Sequence, residues 1–237
     1  YFQIKYEEFD SILSIDEAIS KKSFIGDKRV IENGDIKNIF KNSTNIIEDS
    51  LTIQGHDHFY FEPQSSIVYP LENNQFEVHS SSQHPTETQH VVAHTLGIPS
   101  KDITCIVNRL GGAFGGKESQ AAPFAAMAAI AAKKLNRPAR IVLTKEDDMT
   151  ITGKRNPFKN YYKVAFDNSG KITALKIDLF SDAGAYADLS TSIMERAMLH
   201  SDNAYNIENI KISGQVCKTN HHPHTAFRGF GAPKGVA

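Results

Sequence analysis

Four glycines fall within eight residues, in Gly111-Gly112-Ala113-Phe114-Gly115-Gly116-Lys117-Glu118. A β-branched run, Ile103-Thr104-Cys105-Ile106-Val107, precedes them, and an alanine-rich stretch follows as far as Asn136-Arg137-Pro138. β-Branched residues favour strand and alanine favours helix, so the glycines join a strand to a helix over residues 118–135. Glycine leaves backbone amides unobstructed, and a helix N-terminus adds partial positive charge. One reading is therefore an anion site; the other is a tight turn whose glycines serve packing, and the pattern alone leaves both open. Residues 111–117 also satisfy G-x-x-x-x-G-K. A phosphate-binding P-loop needs Ser or Thr next, and this chain has Glu118, which sets a nucleotide triphosphatase aside.

The 237 residues suffice for one large domain or two small ones with a sizeable core. A net charge of -1 gives no electrostatic case for nucleic acid or an anionic membrane. Arg228-Gly229-Phe230-Gly231 echoes the start of an RNA-binding strand, but Pro233 interrupts it and no basic surplus accompanies it. The longest nearly apolar run, residues 121–132, is too short to span a bilayer. Two cysteines, Cys105 and Cys217, make neither a disulfide scaffold nor a cysteine-rich metal module, and buried packing is their expected role. With no signal-peptide pattern, a cytoplasmic setting is expected. The chain begins inside an alternating run and stops after a glycine-rich segment, so a fragment of a longer polypeptide is expected.

Residues 2–6 alternate as a short strand. Ser14 and Glu17 have capping-box spacing and predict a helix of two turns. Residues 21–33 lose all pattern and read as a linker. Residues 35–47 carry isoleucines partly at helical spacing; residues 58–68 and 75–81 are strand candidates around the turn Glu72-Asn73-Asn74. Pro85 suits a first helical position, and a helix over 86–96 ends at Gly97. Residues 140–143 form a strand. Residues 161–166 and 171–181, joined by Asp167-Asn168-Ser169-Gly170, form a hairpin, and 207–217 is a further strand region. Strands and helices mix without strict alternation, which predicts an α+β or mixed α/β fold.

The glycine segment, read with Thr219-Asn220 and Thr225-Ala226-Phe227-Arg228-Gly229-Phe230-Gly231, resembles the molybdopterin-binding region of the xanthine dehydrogenase and aldehyde oxidase family. His58-Phe59-Tyr60-Phe61-Glu62, Met149-Thr150-Ile151-Thr152-Gly153, Ser192-Ile193-Met194-Glu195-Arg196-Ala197 and Lys218-Thr219-Asn220 resemble family segments in family order. Gly115-Gly116-Lys117-Glu118-Ser119-Gln120 is most similar to bacterial members. The resemblance implies that residues 1–32 are the tail of an α/β hammerhead domain with a linker, and that 33–237 are the first half of a molybdopterin-binding domain. The catalytic base, a glutamate in the family, would lie beyond Ala237.

The resemblance also implies site residues. Gln83 would donate a hydrogen bond to a metal-bound oxygen; otherwise it is a cap or turn amide. Gly112, Phe114 and Gly115 would lie along the cofactor, with Ala113 where the family usually has a third glycine. Glu118 would face the substrate; otherwise it is a carboxylate favourable to the helix dipole. Arg196 would stabilise charge building on a purine oxygen; otherwise it pairs with Glu195 or Asp202 on the surface. Arg228 would lie by the cofactor and Phe230 against the planar substrate; otherwise they are an ion-pair partner and a core aromatic. The family takes its molybdenum ligands from the pterin dithiolene, so no protein ligand is expected. His221-His222-Pro223-His224 lacks ordinary zinc spacing and reads as loop or surface.

In activity, the resemblance implies molybdenum-dependent hydroxylation of hypoxanthine and xanthine to urate, with water as oxygen source. FAD and 2Fe–2S clusters would sit on other domains or subunits, since no signature for them occurs here. The acid–arginine pair Glu118 and Arg196 favours purines over aldehydes. Other molybdenum hydroxylases of aldehydes or N-heterocycles are the nearest alternative. A carbon monoxide dehydrogenase is set aside, because its loop carries a cysteine where Ala113-Phe114-Gly115 does not. The alternative of another class is an inactive structural or binding fragment lacking the base, which is also what the isolated chain is expected to be.

Overall fold

Two sheets carry the architecture, and the smaller one is inserted between two neighbouring strands of the larger. The computed structural model describes residues 3–237. Helix α1 (Ile15–Ser20) is capped by Ser14, whose side chain accepts the Glu17 N–H at 3.1 Å. Glu17 reaches back to the Leu13 N–H at 2.9 Å, closing the predicted box one residue further out. Strand β1 (Phe24–Asn33), helix α2 (Ile36–Asn42) and strand β2 (Asn45–Ile53) follow. The chain then crosses to the second sheet with β3 (Ser65–Pro70), β4 (Phe76–Ser80), helix α3 (Pro85–Leu96), β5 (Ile103–Ile106), helix α4 (Ala122–Leu135) and β6 (Ala139–Val142). Helix α5 (Lys145–Ile151) leads back to the first sheet and its hairpin β7 (Phe158–Phe166) and β8 (Ile172–Asp182). Helix α6 (Ser190–Leu199), β9 (Ile210–Cys217) and the short α7 (Ala232–Gly235) complete the chain.

The larger sheet has the order β1-β9-β8-β7-β2, and the smaller β5-β4-β3-β6. Each is mixed: β8 and β9 are parallel, as are β4 and β5, and the other neighbours are antiparallel. The mixed α/β expectation holds. Period two divides β8 between two cores. Leu175, Ile177 and Leu179 pack with Ile193, Met194, Ala197 and Met198 of α6. Ala174, on the opposite face, packs with Ile36 of α2. Gly214 of β9 makes room for α6, since a Cβ there would lie 2.5 Å from the Met198 sulfur and 2.8 Å from that of Met194. In the second sheet, Ala125, Ala128, Ala129 and Ala132 of α4 are all fully buried among Val68, Val78, Val92 and Ile103. Methyl-sized side chains let this helix settle close on the sheet.

Several expectations need correction. Phe2 lies outside the described residues, and residues 3–6 form no strand, for no neighbouring strand pairs with them and Ile4 and Tyr6 stay exposed. The stretch read as a linker contains β1, whose residues pair along β9 from Phe24 to Asn33. Seven of its ten residues are exposed, so it shows no hydrophobic alternation to read. Ile46 and Ile47 belong to β2, not to the helix before it. Residues 58–64 are loop, and the strand begins at Ser65. Helix α4 begins at Ala122, not at Glu118. Its missing first turn has a cause: the Gly116 carbonyl accepts the Gln64 side-chain amide, and the Lys117 carbonyl accepts the Gln83 N–H, so neither serves a helix.

Candidate functional site

The turn between β4 and α3 meets the glycine loop between β5 and α4 at Gln83. Strand β4 ends at Ser80, and Ser82 turns the chain into α3 by accepting the His84 N–H at 3.0 Å and the Thr88 hydroxyl at 3.0 Å. Gln83, held between them, is exposed. Its backbone N–H donates to the Lys117 carbonyl at 2.8 Å. Its side-chain oxygen accepts two backbone N–H groups, Gly115 at 2.9 Å and Lys117 at 3.3 Å. With the oxygen so engaged, the amide can only turn its NH2 outward.

The glycine loop is clamped from behind by the second glycine-rich segment. The Arg228 N–H donates to the Phe114 carbonyl at 2.9 Å. Gly115 has φ 99°, and a Cβ there would lie 2.8 Å from the Ala226 carbonyl oxygen. Only glycine serves both the backbone angle and the close approach. Phe114 and Phe230 also hold left-handed angles, φ 54° and 47°, a strained choice for aromatic residues. Phe114 nonetheless stays 46% exposed, so the strain does not secure its burial. Behind Arg228, the Arg155 guanidinium lies 3.9 Å from the Phe227 ring centroid and donates to the Arg228 carbonyl at 2.8 Å. His58 also stacks on Phe227 at 4.7 Å between centroids and donates from Nε2 to the Ala226 carbonyl at 2.6 Å. The Arg228 side chain itself is exposed.

Gln83, Phe114, Gly115 and Arg228 thus form one cluster, and Gly112, at φ 89°, opens the same loop. Glu118 follows on it, half-buried. Burial pushes its carboxyl above the usual carboxylate range, His84 pulls the other way, and Asp188 adds to the rise. That is the opposite of what a helix N-terminus would do, in keeping with the late start of α4. Arg196 projects from α6, exposed and, among the described residues, in no ion pair; Glu195 pairs with Arg29 at 3.3 Å instead. Among the described residues Glu118 and Arg196 form no ion pair with each other, and the charges acting on Glu118 are His84 and Asp188. Phe230 is half-buried against the core beneath α6.

Lys117 escaped the sequence reading. It is fully buried, its Nζ 2.5 Å from the Ser81 hydroxyl, 3.4 Å from Glu62 Oε2 and 4.6 Å from the Tyr60 ring centroid. Glu62 also accepts the Gly111 N–H at 2.8 Å. Burial would raise the Glu62 carboxyl, but the Gly111 N–H and Lys117 hold it below its usual range. An ammonium buried against Ser81, Glu62 and Tyr60 therefore pins the underside of the glycine loop. The only sequence signal was a lysine sitting where a P-loop lysine would. The histidine segment also needs correction: it is loop, but His224 is 5% exposed and His221 Nδ1 lies 3.0 Å from Asp182 Oδ2. Burial pushes the Cys105 thiol up to about 11 and that of Cys217 up to about 12, as packed, unreactive thiols should be.

The outward-turned Gln83 amide, the exposed Arg228 guanidinium and a glycine loop suit a polar, anionic cofactor. The comparisons name it: residues 20–237 match the molybdopterin cofactor-binding domain family, and the chain belongs to that family. It is 44% identical over 237 residues to a xanthine dehydrogenase of Oryza sativa subsp. japonica, covering 98% of this chain and 17% of the relative. It is likewise 44% identical to a xanthine dehydrogenase/oxidase of Felis catus, covering 99% of this chain and 18% of that one. The aldehyde oxidoreductase of Desulfovibrio desulfuricans ATCC 27774 superposes with a TM-score of 0.89 at 29% identity, over 97% of this chain and 26% of that one. The chain spans less than a fifth of the length of these curated relatives. No helix among the described residues is long and apolar enough to cross a membrane.

Proposed function

We propose that this chain is the first half of the molybdopterin domain of a purine-oxidising molybdenum hydroxylase, turning hypoxanthine and xanthine into urate. The fixed amide of Gln83 carries the reading. Two backbone N–H groups hold its oxygen and leave its NH2 to donate to an acceptor on the cofactor. Bound molybdopterin would supply the redox centre at which a purine carbon is hydroxylated. Gln83, Gly112, Phe114, Gly115 and Arg228 would hold it, the glycine loop by close backbone approach and Arg228 by charge.

Glu118 and Arg196 would read the purine. A carboxyl raised by burial can be protonated and donate, or ionise and accept, at ring nitrogens and exocyclic oxygens. The free guanidinium of Arg196 would offset charge that develops on a purine oxygen. Phe230 would offer a ring face to the planar heterocycle. The xanthine dehydrogenase relatives support purines. FAD and 2Fe–2S clusters on other domains or subunits, a base beyond Ala237 and a cytoplasmic setting belong to the same proposal. So does a division between a hammerhead tail and the molybdopterin domain, placed ahead of β1 because that strand pairs with β9 in the larger sheet.

The test is Gln83→Glu in the full-length enzyme. Glutamate keeps an acceptor for Gly115 and Lys117 but loses the outward donor. Xanthine turnover per bound molybdenum should fall while molybdenum content holds; unchanged turnover per molybdenum would sink the role given to Gln83.

A further inference from the structure

Away from the glycine loops, Asp182, His221 and His224 bring three ligand atoms within 4.8 Å of one another. Asp182 ends β8, and the two histidines lie on the loop that leaves the neighbouring strand β9. Asp182 Oδ2 lies 3.0 Å from His221 Nδ1 and 3.6 Å from His224 Nε2. A metal at 2.0–2.1 Å from each ligand in tetrahedral array sets neighbouring ligand atoms about 3.3–3.4 Å apart. The two observed spacings bracket that value. The backbone already holds the arrangement: the Ala183 N–H donates to the Cys217 carbonyl at 3.0 Å, and the His224 N–H donates to the Ala183 carbonyl at 2.9 Å.

His224 makes the cluster more than a histidine–carboxylate pair. It is 5% exposed, and neither ring nitrogen has a hydrogen-bond partner. A buried imidazole with both nitrogens unpaired is costly, and a metal at Nε2 would satisfy the nitrogen that points at Asp182. The other carboxylate oxygen, Oδ1, is already held by the Thr219 hydroxyl at 2.7 Å and the Gly184 N–H at 2.8 Å. Such outer hydrogen bonds fix a carboxylate ligand in place.

We propose that Asp182 Oδ2, His221 Nδ1 and His224 Nε2 bind a divalent transition metal of the zinc class, with water completing the tetrahedron. Binding displaces the proton between His221 and Asp182. One carboxylate and two neutral imidazoles leave the site with a net charge of +1. The metal clips the end of β8 to the loop at residues 218–231, which carries Arg228 and Phe230, and so braces the glycine cluster from a distance.

The experiment uses the full-length enzyme, dialysed against a chelator, reloaded with zinc chloride and gel-filtered. Elemental analysis should find about one more zinc per molybdenum domain in the wild type than in His224→Asn or Asp182→Asn. A chromogenic zinc chelator should be outcompeted by the wild type and not by the variants. Retention of the same zinc by all three proteins would overturn the proposal. So would failure of the wild type to retain zinc or to compete with the chelator, a result that stands even if a variant does not fold.

Discussion

The Gln83 side-chain oxygen lies 2.9 Å from the Gly115 nitrogen, and this bond ties the start of α3 to the glycine loop. It decides which end of the amide faces outward. Truncation should therefore separate chemistry from cofactor retention. In Gln83→Ala, turnover per molybdenum is expected to fall roughly tenfold to a hundredfold, the value of a hydrogen bond made to a charged or charging group. Molybdenum content should fall by much less. Equal losses in both would reduce Gln83 to a loop support.

Gly115→Ala meets two obstacles at once, a left-handed φ of 99° and the Ala226 carbonyl 2.8 Å from the new Cβ. Either strain alone is worth about 1–3 kcal/mol. A lowered thermal midpoint with reduced molybdenum content is expected of the full-length protein. A variant as stable and as well loaded as the wild type would show that the two glycine segments are not clamped as described.

Lys117→Met removes the ammonium that serves Ser81 and Glu62 and leaves both without it inside the fold. Glu62 keeps the Gly111 N–H and some water, so the loss should stay near the value of one unmade bond, about 1–3 kcal/mol. Urea unfolding of wild type and variant measures it. No loss would mean that the pair contributes nothing to holding the loop.

Glu118 links stability to pH. Its folded pKa is raised, chiefly by burial. Above that raised value, folding must keep a carboxylate in a partly dry place, which costs stability; below the ordinary carboxylate range both states are protonated and the cost vanishes. Glu118→Gln should therefore have a higher thermal midpoint than wild type at neutral pH, and the gap should close as pH falls. A gap that is constant with pH would place the cause elsewhere.

Much of this was legible in the chain because local chemistry and tertiary role agreed. The β7–β8 hairpin showed alternation on both sides of Asp167-Asn168-Ser169-Gly170, and Asp167 does close that turn by accepting the Ser169 and Lys171 N–H groups. Pro85 and Gly97 bound α3 as their backbone preferences require. Strand β1 was hidden because its partner lies some 180 residues away and its side chains face solvent. The start of α4 was hidden because distant groups claim the carbonyls of Gly116 and Lys117. Likewise the sequence could offer the glycine loop and Gln83 as neighbours of one another only through family likeness. Nothing local marks Lys117 as buried or His224 as unpaired, since both depend on what folds over them.

The purine assignment rests on Glu118 and Arg196, and the ratio of kcat/KM for xanthine to that for an aromatic aldehyde tests it most directly. The comparison is between the full-length enzyme and its Glu118→Val and Arg196→Met variants at equal molybdenum loading. Each variant should lose roughly tenfold to a hundredfold on xanthine and keep or improve its aldehyde activity, so the ratio collapses. Equal losses on both substrates would contradict the assignment and leave the two residues a part in folding or cofactor placement alone.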